Sequence, residues 1–153
     1  IALLPGVTLD LIGDGADRQS LEVLAAKLNI ADRVNFLGTQ SHTTLPTLYQ
    51  RAALHVLTSS HETFALSIAE AAACGVPSIS TRVGMLPDYP SIGQTFEGDD
   101  PAGLATMIRD LLDDKEKLNA LRQSARAAIA RDLTIERTTA RLREAYAGLL
   151  DAQ

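Results

Sequence analysis

Glu62 and Glu70 stand eight positions apart in the run His61-Glu-Thr-Phe-Ala-Leu-Ser-Ile-Ala-Glu-Ala-Ala-Ala-Cys-Gly75. One carboxylate falls just ahead of a helix and the other inside it. The helix start, close to Thr63-Phe64-Ala65-Leu66, offers free backbone N–H groups and the positive end of the dipole, which favour an anion, most often phosphate in α/β folds. A carboxylate at such a place does not bind phosphate, because like charges repel. It is suited to accept hydrogen bonds from neutral hydroxyls such as those of ribose or a sugar. The stretch therefore combines an anion seat with two hydroxyl acceptors.

The surrounding sequence supplies elements to hold it. Ala53-Leu54-His55-Val56-Leu57 has the length and apolar content of a buried strand, Thr58-Ser59-Ser60 is a polar connector, and Gly75-Val76-Pro77 stops the helix. Upstream, Ile1–Leu4 followed by Pro5-Gly6 reads as the last turn of a helix. Val7–Ile12 alternates like a strand and runs into Gly13-Asp14-Gly15-Ala16-Asp17-Arg18, a tight turn before a helix over Gln19–Leu28 with Leu21, Leu24, Ala25 and Leu28 on one face. Val34–Leu37 is the next strand, broken by Gly38, and Leu45–Tyr49 is a brief helix with Pro46 in its first turn. A fourth unit opens with the strand Ser78–Thr81 and turns at Val83-Gly84-Met85. Pro101–Leu112, Lys115–Arg131 and Ile135–Leu150 read as helices, Thr134 capping the last, and no strand follows. Strands alternating with helices imply a doubly wound parallel sheet whose ligands sit beyond the carboxyl ends of the strands. The loops on that edge are Gly13–Asp17, Leu37–His42, Ser59–Leu66 and Arg82–Pro87.

Composition removes several classes. With 153 residues, 46% of them apolar, the chain has one domain's worth of core. A lone Cys74 excludes an internal disulfide framework and is expected as a small buried hydrophobe; no Cys/His cluster has zinc spacing. A net charge of −5 gives no general attraction to nucleic acid, and the arginines beyond Lys115 alternate with acids as on a solvated helical face. No apolar run reaches membrane-span length, so membrane association is expected only through parts outside this chain, and a reducing cytoplasm is the expected compartment. Arg18 occupies the third glycine position of G-x-G-x-x-G, against a dinucleotide site, and neither a P-loop nor a G-x-S-x-G elbow is present. Among the histidines, His55 reads as a satisfied core residue; His61, beside Glu62, is the candidate to line the site.

Residues 8 to 81 resemble the C-terminal, nucleotide-sugar-binding domain of GT-B glycosyltransferases, specifically the large retaining family four. The resemblance rests on G-D-G-x-x-R (13 to 18), V-x-F-L-G (34 to 38), Leu45-Pro-x-Leu-Tyr49 and above all E-x7-E, Glu62 to Glu70, followed by A-x-A-C-G-V-P (71 to 77). It implies a Rossmann-like donor-binding domain over 1–153 that serves retaining transfer of a hexosyl group from a nucleotide-diphosphate sugar. By the same resemblance Glu62 meets hydroxyls of the transferred sugar and is the catalytic candidate, and Glu70 holds the ribose diol. The loop amides at Thr63, Phe64, Ala65 and Leu66 meet sugar and diphosphate, Leu37 and Gly38 border the base, and Gly13 and Gly15 complete the donor site. No cofactor and no metal is expected, the nucleotide sugar being the substrate.

Several positions depart from that pattern. Glu62-Thr63-Phe64-Ala65 replaces E-G-F-G, bringing a β-carbon where backbone approaches donor, and Gly84-Met85-Leu86-Pro87-Asp88 replaces G-G-x-P-E, with the hairpin that follows shortened to Tyr89–Phe96. The family's first βα unit, with the Arg and Lys that neutralise the departing diphosphate, and its acceptor-binding N-terminal domain are both missing from the sequence, so the fragment alone is expected to be inactive. In a sheet of order 3-2-1-4-5-6 the missing strand is central, which leaves a gap and an open edge able to pair with a second chain. The alternatives are a degenerate, non-catalytic nucleotide-binding or interaction module and a GT-B sugar-nucleotide epimerase.

Overall fold

The computed structural model describes residues 1–150; residues 151–153 of the expected domain lie outside the described residues. Five strands alternate with helices in the order β1 (Leu9–Ile12), α1 (Arg18–Lys27), β2 (Val34–Gly38), α2 (Leu45–Arg51), β3 (His55–Leu57), α3 (Leu66–Ala73), β4 (Ser78–Thr81) and β5 (Gly93–Phe96). Three helices close the chain: α4 (Pro101–Asp113), α5 (Lys115–Asp132) and α6 (Ile135–Leu150). The residues singled out as helix starts act as such. Pro46 lies in the first turn of α2, and Thr134 Oγ1 accepts the Arg137 N–H at 3.2 Å at the head of α6.

All ladders are parallel, and the sheet is in two parts. β1 pairs with β2, while β3, β4 and β5 form a second sheet in that order. β1 and β3 share no ladder among the described residues, so the two parts do not join into one continuous sheet. The strand β5 falls where a shortened hairpin was expected; it is Gly93 that lets it lie against Ser78 of β4, because a β-carbon there would run into the Ser78 carbonyl. Ile1–Leu4 forms hydrogen-bonded turns rather than the end of a helix, and β1 begins at Leu9 rather than Val7. The carbonyls of Ile1, Leu4 and Val7 all accept from Arg33 Nη1, which fixes this segment beside the start of β2.

Packing differs between the parts. The β3–β5 sheet lies between two apolar clusters. One joins Ala65, Ile68 and Ala72 to Met85, Leu86 and Ile92 and to Ala125 and Ala128 of α5; the other joins Ile79 and Leu4 to Ala105, Ile108, Leu111 and Leu118. Every residue of β4 is buried. Around β1 and β2 the buried set is Ala25, Ile30 and Val34, with Leu9, Leu11 and Phe36 packed against it. Of the face expected on α1, Ala25 alone is buried; Leu21, Leu24 and Leu28 are between 43% and 47% exposed.

Candidate functional site

The loop after β3 delivers the chain to α3 through a left-handed turn. Ala65 takes φ 62° and ψ 67°, and α3 starts at Leu66 without a side-chain cap; the Ile68 N–H turns back to the Ala65 carbonyl at 3.0 Å, which leaves the N–H groups of Leu66 and Ser67 available. A non-glycine residue in this region is strained by roughly 1–2 kcal/mol. It is held there by the next loop: the Phe64 carbonyl accepts the Met85 N–H at 3.0 Å, and Gly84, at φ 59°, is packed on Ala65 so closely that a β-carbon on it would fall 2.5 Å from the Ala65 Cβ and 2.7 Å from the Phe64 carbonyl oxygen. The Ala65 side chain is only 5% exposed and belongs to the core cluster with Ile68 and Met85. The β-carbon expected to intrude on the ligand side is therefore buried instead, because the left-handed backbone turns it inward. Phe64 and Leu66 remain exposed on either side.

The two glutamates occupy different environments. Glu62 is exposed ahead of the turn, together with Thr63 and His61. Glu70, one turn into α3, is half-buried, and its Oε2 accepts a hydrogen bond from Tyr49 Oη of α2 at 3.2 Å. Burial, followed by the negative charge of Glu70 and that hydrogen bond, pushes the Tyr49 phenol well above its ordinary pKa, so it stays a donor at neutral pH. The Tyr49 ring meets His55 of β3 edge-on, with centroids 6.0 Å apart at 69°. His55 Nδ1 lies 3.0 Å from Ser78 Oγ, and burial lowers its pKa to about 4, leaving the imidazole neutral at pH 7. His55 is thus the packed histidine the sequence indicated. Cys74, expected to be buried, is half-exposed at the end of α3; burial and then the Glu70 charge raise its pKa, offset in part by Arg126.

Gly13, Gly15, Leu37 and Gly38 gather at the ends of β1 and β2. The Gly13 N–H donates to the Gly38 carbonyl at 2.8 Å, and φ values of 121° and 65° explain glycine at both places. Arg18 seals this turn: Nε donates to Glu22 at 2.9 Å, Nη2 reaches the Phe36 carbonyl at 3.4 Å, and its guanidinium lies 5.8 Å from the Phe36 ring centroid. Among the described residues no hydrogen bond joins these loops to the Ser59–Leu66 and Arg82–Pro87 loops. The structure therefore assembles the sequence candidates as two clusters, and the Tyr49–Glu70 bond connects the crossover helix between them to α3. A cleft of about 420 Å³ opens at the ends of β3, β4 and β5, bordered by Thr58, Ser60, Thr81, Phe96 and Asp100 but by neither glutamate. Among the described residues no three His, Cys, Asp or Glu side chains form a set able to hold a metal ion, and no helix is long and apolar enough to cross a membrane. Tyr49, within Leu45-Pro-x-Leu-Tyr49, is the residue of this group to which the sequence assigns no role; a tyrosine closing a largely apolar helix motif is the signal that marks it.

Comparison with known proteins matches residues 2–128 to the family described as Glycosyl transferases group 1. N-acetyl-alpha-D-glucosaminyl L-malate synthase of Bacillus anthracis is 34% identical over 143 residues, covering 92% of this chain and 37% of that protein. Sucrose-phosphate synthase from Thermosynechococcus elongatus superimposes with a TM-score of 0.85 at 29% identity, over 99% of this chain and 41% of the other. Anabaena HepE, solved in complex with UDP-glucose, has a TM-score of 0.85 at 24% identity over 96% of this chain and 43% of the other. The chain thus spans about a third of the length of the curated relatives it matches.

Proposed function

Since the chain belongs to the glycosyl transferases group 1 family, we propose that it is the donor-binding part of a retaining glycosyltransferase that takes a hexosyl group from a nucleotide-diphosphate sugar. The observation that carries this reading is the arrangement at the head of α3: an uncapped helix start, with an exposed carboxylate before it and a half-buried, hydrogen-bonded carboxylate one turn inside. The amides around Leu66 meet the diphosphate, Glu62 orients the reacting sugar, and Glu70 accepts from the ribose diol. Leu37, Gly38, Gly13 and Gly15 border the base. Similar proteins support the class of ligand, HepE having been solved with UDP-glucose. The acceptor arrives from a domain outside this chain, and charge on the leaving diphosphate is offset by cationic side chains and helix amides rather than by a metal. The inward turn of the Ala65 β-carbon weighs against a degenerate site, while Thr63 remains exposed beside the turn.

Kinetics of the intact enzyme test the assignment. Glu62→Ala should lower kcat by about a hundredfold or more with a small change in donor KM, as expected when a group acts on the reacting sugar. Glu70→Ala should raise donor KM by about tenfold with kcat less affected. Wild-type constants for either variant would remove that residue from the site.

A further inference from the structure

We propose that Tyr49 is a positioning residue for ribose recognition: it occupies one oxygen of the Glu70 carboxylate and so presents the other to the two hydroxyls of a nucleotide ribose. This rests on the donor-site reading above.

An ionised carboxylate offers about four lone-pair directions on two oxygens, and a glutamate side chain with three rotatable bonds sweeps them through a wide arc unless something anchors it. Here Oε2 accepts from Tyr49 Oη at 3.2 Å, and Oε1 accepts no hydrogen bond from the protein among the described residues. The anchor is itself fixed. Tyr49 sits near the end of the seven-residue α2, half-buried, with its ring edge-on to the imidazole of His55, and that imidazole is tied to Ser78 Oγ of the fully buried β4. The phenol's direction toward α3 is thus set by a line of contacts running from β4 through β3 and α2. A diol needs an acceptor held at one angle, because two hydroxyls on adjacent carbons converge on one point. Tyr49 supplies that angle without touching ligand.

Binding of ADP, GDP and UDP, each beside its 2′-deoxy counterpart, to the intact enzyme tests this by calorimetry, using whichever base binds best. The wild type should prefer the ribonucleotide by about tenfold. Tyr49→Phe, which keeps the ring against His55, should weaken the ribonucleotide by about five- to tenfold and leave the 2′-deoxynucleotide unchanged, so that the preference collapses. In steady-state turnover it should raise donor KM and spare kcat. On a Glu70→Gln background Tyr49→Phe should have no such selective effect. Equal weakening of both sugars, or no weakening of either, would overturn the positioning role while leaving the donor site in place. A wild-type enzyme that binds none of the three nucleoside diphosphates would overturn the donor reading itself, and this inference with it.

Discussion

Strand β4 is buried at all four of its residues, whereas β1 alternates between half-buried and exposed, although a doubly wound order would make both of them inner strands. The β3–β5 part has an apolar cluster on each face and holds the site candidates of α3 in place. The β1–β2 part has one small cluster, an exposed Asn35–Asp10 hydrogen bond on its other side, and a helix with an uncovered leucine face. The difference teaches where the rigidity of the site originates. Glu70 and the α3 turn are referred to a two-sided core, while the glycine loops at 13 and 38 depend on one shallow layer and on each other.

The largest effect should come from inside the two-sided core. Gly93→Ala puts a β-carbon into the Ser78 backbone at the β4–β5 ladder, and neither backbone can retreat without breaking that ladder. A loss of at least about 3 kcal/mol is expected in chemical denaturation. A loss under about 1 kcal/mol would mean that the core is not as tight as its burial implies.

His55, on the end strand of that sheet, gives the next effect. Burial depresses its pKa from 6.5 to about 4, so between these values the unfolded chain takes up a proton that the folded chain does not. Stability therefore falls as pH drops through that window, by about 3 kcal/mol, and this loss levels off below pH 4. Denaturation at pH 7 and pH 4.5 should show a steeper decline for the wild type than for His55→Gln. Identical slopes would place His55 in contact with solvent and weaken the contrast between the two parts.

The smallest effect should lie in the open part. Leu24→Asp changes a half-exposed residue of α1 and should move stability by no more than about 0.5 kcal/mol. A loss above about 2 kcal/mol would show that this face is covered in solution.

Much of the fold was legible because strands and helices here carry strong periodic signals bounded by glycine and proline. The helix over Ile135–Leu150 and its Thr134 cap could be read directly, as could the turn at Gly13 and the stop at Gly75. β5 was not legible: Thr95 and Phe96 favour a strand, but Gly93 does not, and the four residues are too short a run to show alternation; the small Gly93 is what lets β4 approach. The exposure of Leu21, Leu24 and Leu28 was equally hidden, since an amphipathic pattern tells which face wants cover but not whether cover is present. At the candidate site, the spacing of Glu62 and Glu70 read correctly as one carboxylate ahead of α3 and one inside it. The inward turn of Ala65 required knowing a backbone angle that alanine rarely adopts, and the partner of Glu70 lay on a different helix, twenty-one positions away.

The contact between Ala65 and Gly84 makes two loops heritably dependent on each other. There is room for one methyl group where they meet, and Ala65 has taken it. A side chain at position 84 would meet the Phe64 carbonyl as well as the Ala65 methyl group, and anything larger than a methyl group at position 65 would have to displace the core around it. Position 84 is thus held to glycine by its own left-handed backbone and by the turn nineteen positions away. Loops that diverge independently in length and charge must still share this single allowance of volume, and it limits which neighbouring sequences can be reached one mutation at a time.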